Sequence, residues 1–152
     1  MHWSLSIVLL IVIVGGVAEY SLIIGAASFW AIMLVHEIGH MYIARKQGLR
    51  VYSIELYLFH GLCHYELSHD KYENYLVAWG GFFAQAVVFV PAIFIYTLFG
   101  NFLPWYINTP LIFLGYISAL IGLINLAPSK GLDGYICWRL IPIYLRRKRQ
   151  RS

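Results

Sequence analysis

Long runs of apolar residues, separated by short polar segments, dominate this chain. Four runs approach or exceed the roughly 20 residues that a helix needs to cross a hydrocarbon core of about 30 Å. They are residues 3–18, 20–44, 75–99 and 110–126. The pattern predicts an all-α polytopic membrane protein with four transmembrane helices in a single domain, residues 1–152.

The first run, residues 3–18, is the shortest of the four. At about 1.5 Å per residue its helix would reach only about 24 Å. A cleaved signal peptide is the alternative, because Gly16, Val17 and Ala18 offer small residues for cleavage. The first four residues, however, lack the positive charge with which signal peptides begin, so we expect a span.

A period-two alternation of polar and apolar residues follows the second run. It covers residues 51–58 and is typical of a half-buried strand. His60 and Gly61 favour a turn, after which residues 62–68 return as a second strand. The sequence therefore predicts a small membrane-associated β-hairpin over about residues 51–68, between spans two and three.

The backbone is predicted to break after the fourth run. Pro128, Gly131 and Gly134 disfavour a continuous helix there. Irregular backbone at membrane depth is tolerated only where it is buried in protein or lines a polar cavity, so we expect this segment to border a site. Residues 135–145 are too short to span and predict an interfacial helix, so that residues 135–152 form a basic interfacial segment.

Composition and charge agree with a membrane protein. Of the 152 residues, 61% are hydrophobic and 12% are charged, against roughly 45–50% and roughly 25% in soluble domains. Every Lys and Arg lies between runs two and three or after run four, which predicts cytoplasmic N- and C-termini. The basic residues 146–149 and 151 follow an apolar segment and so predict contact with anionic lipid headgroups rather than nucleic acid. Cys63 and Cys137 then lie on the reducing side, and no disulfide is expected.

Three ionisable residues, His36, Glu37 and His40, lie inside the second apolar run. A charge within such a helix costs about 2.5–3.5 kcal/mol on insertion scales and therefore usually marks a functional site. On a helix, His36 and His40 lie one turn apart on one face, as two ligands of one Zn²⁺ ion do. Catalytic zinc usually takes three protein ligands and keeps one position for water, whose proton Glu37 is placed to accept.

The third metal ligand must come from another part of the chain. His36 and His40 lie toward the predicted cytoplasmic end of the second run, and Asp133 lies just past the cytoplasmic end of the fourth. Asp133 also belongs to the segment expected to open around a cavity. It is therefore the candidate third ligand, with a solvated loop aspartate as the alternative.

These two motifs resemble the site-2 proteases, which carry H-E-x-x-H in one membrane helix and an L-D-G aspartate in a later one. Residues 35–44 resemble the family's metal-binding helix, and residues 125–134 resemble its N-x-x-P-x-x-x-L-D-G segment. The resemblance implies that His36, His40 and Asp133 bind zinc. It also implies that Glu37 is the catalytic acid and base.

Three further segments of the chain resemble parts of the same family. Asn125 matches the family's asparagine and is a candidate catalytic residue. Residues 81–85 stand where many relatives have G-P-x-x-N, so that Gln85 replaces an asparagine and is a candidate hydrogen-bond donor to a developing oxyanion. Residues 52–66 resemble the sheet through which such proteases receive an extended substrate strand.

The sequence thus predicts an intramembrane zinc metalloprotease that cuts membrane-protein substrates in or near their transmembrane segments, toward the cytoplasmic side. One rival is a catalytically inactive relative that binds transmembrane segments as an adaptor, although such a protein has no need for Glu37. A metal transporter would need ionisable residues through the full depth of the bilayer, whereas the third run offers only Gln85. The oligomeric state is not predicted.

His60, Cys63 and His64 raise the alternative of a second metal site. Three such side chains on a short turn are a weak signal. Their ordinary interpretation is as polar groups at the headgroup level or near the mouth of the active site.

Overall fold

A computed structural model of the protein describes residues 20–58 and 60–151. The described part is mostly helical, with one two-stranded antiparallel sheet. The predicted first span, residues 3–18, lies outside the described residues. The elements are, in chain order, α1 (Tyr20–Lys46), β1 (Val51–Leu56), β2 (Gly61–Tyr65), α2 (Lys71–Phe99), α3 (Trp105–Ile112), α4 (Ser118–Asn125), α5 (Gly134–Cys137) and α6 (Leu140–Arg151).

Three helical stretches of the described chain are long and apolar enough to cross a membrane. They are Leu22–Lys46, Lys71–Phe102 and Trp105–Asn125. The third joins α3 to α4 through a π-helical turn, Phe113–Ile117. These stretches correspond to the second, third and fourth predicted runs.

The last of these stretches begins earlier than the sequence predicts, at Trp105 rather than residue 110. The reason is the short turn that precedes it. The Asn108 side chain donates hydrogen bonds to the carbonyls of Gly100 and Leu103, at 2.7 and 3.0 Å, which closes the turn against the new helix. Pro110 therefore lies inside α3 instead of starting it.

The long helices α1 and α2 cross closely at Gly39 and Gly80. A Cβ atom on Gly80 would lie 2.5 Å from the Gly39 carbonyl oxygen, and one on Gly39 would overlap the carbonyl of Gly80. Small residues allow membrane helices to approach to this distance. Because Gly39 lies between His36 and His40, the crossing brings both histidines against α2.

The predicted hairpin is present, with shorter strands than the alternation indicated. Ile54 pairs with Cys63 and Glu55 with Leu62. The backbone N–H of Tyr57 donates to the His60 carbonyl at 2.8 Å, so the turn already begins at Tyr57. At the other end the returning strand stops at Tyr65, because Ser68 exchanges two hydrogen bonds with Asn74 of α2 and belongs to the start of that helix.

The backbone leaves helical conformation after α4, as Pro128 and Gly131 predict. Gly134 then packs so closely on the carbonyls of Leu126 and Ala127 that any Cβ would overlap them. The turn carries Asp133 back over the end of α4. Glycine is required at 134 for this close return.

The predicted interfacial helix over residues 135–145 is instead two helices, α5 and α6, interrupted at Trp138 and Arg139. The Trp138 indole donates a hydrogen bond of 2.6 Å to the carbonyl of Leu126, which ties the break to the end of α4. Pro142 is tolerated because it lies in the first turn of α6, where the backbone needs no intrahelical donor.

Candidate metal centre

Three ligand atoms from two distant segments converge in this fold. His36 Nε2 lies 3.1 Å from His40 Nε2 and 2.9 Å from Asp133 Oδ2, and His40 Nε2 lies 3.2 Å from the same oxygen. Tetrahedral zinc with bonds of about 2.0–2.1 Å holds its ligand atoms about 3.3 Å apart. The three atoms therefore have the spacing of a metal site, and they form the one group of this kind within the described residues.

Both imidazoles have their other ring nitrogen occupied by α2. His40 Nδ1 lies 2.8 Å from the Val77 carbonyl oxygen, and His36 Nδ1 lies 3.1 Å from Gln85 Oε1. A carbonyl oxygen only accepts, so each Nδ1 donates and each neutral ring presents a lone pair at Nε2. The two Nε2 lone pairs and the Asp133 oxygen are then three acceptors that face one another. A bound cation interacts favourably with all three, whereas two neutral rings of this tautomer have no proton to share between them.

Asp133 meets these nitrogens as a carboxylate. Burial acts to raise the pKa of Asp133. With protons in place of a cation on the two Nε2 atoms, hydrogen bonding and charge from His36 and His40 outweigh burial and hold that pKa well below its usual range. A metal ligand of this type must be ionised. Asp133 therefore has the charge state that a divalent cation requires.

Glu37 is buried beside this group, with 5% of its surface exposed. The backbone of β2 at Cys63 also lies close to the Glu37 carboxylate. A Cβ on Gly61 would lie 2.5 Å from Glu37 Oε1, so only glycine lets β2 approach the carboxylate this closely. The hairpin thus forms one wall around Glu37.

The site opens into a cavity of about 430 Å³. α1, β2, α2, α4 and the Asp133 turn all contribute to its walls. Its polar lining includes the six candidates His36, Glu37, His40, Gln85, Asn125 and Asp133. Every residue that the sequence selected for the main site therefore borders the same cavity.

Gln85 and Asn125 occupy different positions in this cavity wall. Gln85 is fully buried and touches His36, whereas Asn125 is half-buried at the end of α4, where the Asp133 turn begins. The Nε2 atom of Gln85 is buried and has no hydrogen-bond partner among the described residues.

His60, Cys63 and His64 do not converge. Cys63 faces the cavity, while its neighbour His64 points to the opposite face of the strand, 3.7 Å from Glu55. Adjacent residues of a strand point to opposite faces, so they cannot share one ion. The His60 ring stacks on Tyr57, with ring centroids 4.7 Å apart.

Sequence reasoning missed the residues that make room for the site. A Cβ on Gly81 would overlap the His36 ring, so this glycine allows α2 to pack against the imidazole. Trp79 donates a hydrogen bond of 3.0 Å to the Cys137 carbonyl, and its ring packs edge-on against Trp138, with centroids 5.3 Å apart. A glycine pair within an apolar run is the one sequence signal for such an approach.

The chain is similar in sequence to known proteins. A family model described as Peptidase family M50 matches residues 24–88, which cover most of α1, the hairpin and α2 as far as the Gln85 region. A protein of Synechocystis sp. named "Putative zinc metalloprotease sll0528" is 34% identical over an alignment of 115 positions, which covers 74% of this chain and 29% of the relative. A Mycobacterium tuberculosis protein named "Putative zinc metalloprotease Rip3" is 28% identical over an alignment of 164 positions, gaps included, which covers 97% of this chain and 41% of the relative.

This chain spans less than half the length of both relatives. The family match includes the helix that carries His36, Glu37 and His40, and the alignment with the mycobacterial relative covers nearly the whole chain. The chain belongs to peptidase family M50, the site-2 protease family.

Proposed function

We propose that this protein is an intramembrane zinc metalloprotease that hydrolyses peptide bonds in or near the transmembrane segments of membrane-protein substrates, toward the cytoplasmic side. The observation that carries the proposal is the convergence of His36, His40 and Asp133 beside a buried glutamate in one cavity. The names of the two relatives support zinc as the ion.

His36, His40 and Asp133 would hold the ion. Zinc bound there supplies Lewis-acid chemistry, since it lowers the pKa of a water molecule and polarises a carbonyl oxygen. Glu37 accepts a proton from the attacking water on one carboxylate oxygen and later gives it to the departing amine. β2 packs directly against the carboxylate at Gly61 and so limits its movement during both transfers.

The substrate must present an extended segment, because helical carbonyls are already hydrogen-bonded. The Tyr57 N–H donates to the His60 carbonyl, and hydrogen-bonded and non-hydrogen-bonded pairs alternate along an antiparallel hairpin. The backbone groups of Leu62 and His64 therefore form the hydrogen bonds to β1. The backbone groups of Gly61 and Cys63 then point away from β1, on the side where Gly61 approaches Glu37. We expect an unwound substrate segment to lie along this edge of β2.

Zinc content tests the metal assignment. We expect about one zinc ion per purified chain and a clear loss of zinc in both His36→Ala and His40→Ala, because each removes one of three ligands. His64→Ala is the matched control, since His64 lies on the outer face of the hairpin. Full zinc occupancy in both ligand variants would exclude these residues as ligands.

Comparing membrane proteomes tests the reaction. Glu37→Gln should keep its zinc and lower cleavage by about 10²–10⁴-fold, because it loses the group that carries the proton. Fragments of membrane proteins should appear with the wild type and not with this variant. Equal fragments with both would remove Glu37 from the mechanism, and membrane-protein binding without fragments from the zinc-loaded wild type would favour the inactive adaptor.

A further inference from the structure

α2 supplies the hydrogen-bond acceptors for both imidazoles, but the two acceptors differ in kind. The acceptor for His40 is the backbone carbonyl of Val77, which is present whatever side chain stands there. The acceptor for His36 is the side-chain oxygen of Gln85. The orientation of His36 therefore depends on one specific side chain.

The packing around Gln85 holds its carboxamide in one orientation. Gln85 has no exposed surface, and a Cβ on Gly122 of α4 would lie 3.0 Å from its Oε1. Gly81, one turn earlier on α2, leaves room for the His36 ring. The contact between His36 and Gln85 thus lies where α1, α2 and α4 meet, with one glycine of α2 and one of α4 beside it.

The same geometry argues against Gln85 as an oxyanion donor. A donor to a developing oxyanion must aim a free N–H at the space where the substrate carbonyl reacts. The Nε2 atom of Gln85 is buried away from accessible surface, and its Oε1 is engaged by His36. The carboxamide therefore faces the metal ligand with its acceptor atom and offers the cavity no accessible donor.

We propose that Gln85 is a positioning residue, whose Oε1 fixes the tautomer and ring orientation of His36 so that Nε2 faces the metal. Histidines that bind metal commonly donate their second ring N–H to such an acceptor, and loss of the acceptor typically weakens metal binding about 10–100-fold. This inference rests on the metal centre proposed above. It concerns binding of the ion and not the protein's capacity to fold.

Cobalt titration of the full-length, metal-free protein in detergent tests this role. Co²⁺ reports both affinity and ligand geometry, the latter through its visible d–d absorption bands. Gln85→Leu removes the acceptor and should weaken Co²⁺ binding about 10–100-fold and shift the bands at saturation. Gln85→Glu keeps an acceptor oxygen at the same reach and should bind Co²⁺ with nearly wild-type affinity and bands.

Ser118→Ala is the matched control. Ser118 is also buried, at 1% exposure, and its hydroxyl also lacks a hydrogen-bond partner among the described residues. It lies on α4, outside the His36 contact, so this variant should match the wild type. A loss of affinity in Ser118→Ala as large as in Gln85→Leu would assign the effect to packing and overturn the proposal.

The remaining outcomes separate the two proposals. If Gln85→Leu matches the wild type in affinity and bands, Gln85 has no positioning role while the metal centre stands. If Gln85→Glu is as weak as Gln85→Leu, the acceptor is not what matters, and the role is again excluded. If the wild type itself binds no Co²⁺, the metal centre fails and the role of Gln85 fails with it.

Discussion

Cys63 shows how Glu37 affects a neighbouring side chain. Burial raises the pKa of the Cys63 thiol to about 11, and the negative charge of Glu37 acts in the same direction. Arg45 opposes the shift but does not cancel it. A raised pKa keeps the neutral thiol dominant at every pH below about 11. The thiol at the cavity wall is therefore a weak nucleophile at physiological pH.

We predict that Cys63 reacts slowly with iodoacetamide. At pH 8 its rate should be at least about tenfold below that of an ordinary thiol, because little thiolate is present. The rate should keep rising up to pH 10 without a plateau. Site-resolved mass spectrometry measures it, with Ser53→Cys on the exposed face of β1 as the reference thiol. A plateau near pH 8.5 at Cys63 would contradict the raised pKa.

At the residue scale, the sequence predicts which side chains meet along one helix. The spacing of His36 and His40 places both on one face of α1, and the structure brings Asp133 to them. The contacts that α2 makes, from Val77 and Gln85, could not be predicted in this way. They depend on where two helices cross, which periodicity within a single helix does not specify.

Helix crossing is the decisive feature at the scale of elements. The contact of Gly39 with Gly80 is backbone against backbone, so neither partner can move aside by rotating a side chain. By contrast, the Cβ of a residue at Gly25 would meet the tip of the Phe113 ring, its Cζ atom, at 2.8 Å, and that side chain can swing aside about its Cα–Cβ bond. The two glycines of α1 thus differ in what their contacts tolerate.

We predict that Gly39→Ala is more destabilising than Gly25→Ala. Overpacking against a rigid backbone should lower the free energy of unfolding by about 1–3 kcal/mol and separate α1 from α2. Gly25→Ala should lose less, since a small displacement of the Phe113 side chain relieves the clash. Unfolding in mixed micelles, followed by circular dichroism, measures both. Equal losses would show that the crossing is not the constraint that the geometry indicates.

The Asp133 turn is held by tryptophan indoles. Trp138 donates to the Leu126 carbonyl at the end of α4, and Trp79 of α2 donates to the Cys137 carbonyl just beyond Asp133. A carbonyl at a helix end otherwise lacks a partner. These two bonds fasten the turn at both of its ends and so hold Asp133 near α1.

We predict that Trp138→Phe weakens Co²⁺ binding by up to about fivefold, since a hydrogen bond contributes about 1 kcal/mol. Phenylalanine keeps the aromatic ring but has no N–H. Trp105→Phe is the control, because Trp105 begins α3 at the far end of the span. Cobalt titration as for the Gln85 variants measures both, and unchanged affinity in Trp138→Phe would show that the turn holds Asp133 without this bond.

Element boundaries could be predicted less well than the elements themselves. Run length identified three of the spans, because burial in lipid demands about 20 apolar residues whatever their order. The start of α3 depends instead on Asn108 capping a turn, and the end of β2 depends on Ser68 bonding to Asn74. Such side-chain bonds to local backbone follow tertiary geometry and leave little trace in hydrophobic patterning.

Viewed over the whole molecule, the residues of the candidate site lie at similar distances from one end of the helices. His40 is six residues from the end of α1 at Lys46, and Val77 is six residues from the start of α2 at Lys71, which is about 9 Å along each helix. The two groups joined by the His40 hydrogen bond are therefore equally far from the same end of the molecule. The hairpin and the Asp133 turn lie at that end, since they connect or follow these helix termini.

Charge along the chain predicts that this end faces the cytoplasm. Each described span reverses direction, so the ends of α1 and α4 and the start of α2 share one side. All Lys and Arg residues follow Ala44, and they lie in the last turn of α1, at the start of α2, or in the connections and tail on that side. We predict that a phosphatase or fluorescent reporter fused after Ser152 reports a cytoplasmic C-terminus. A second fusion within Asn101–Leu103, in the connection at the other end, should report the opposite side. Reversed signals from the pair would place the metal centre near the outer surface and exclude cleavage on the cytoplasmic side.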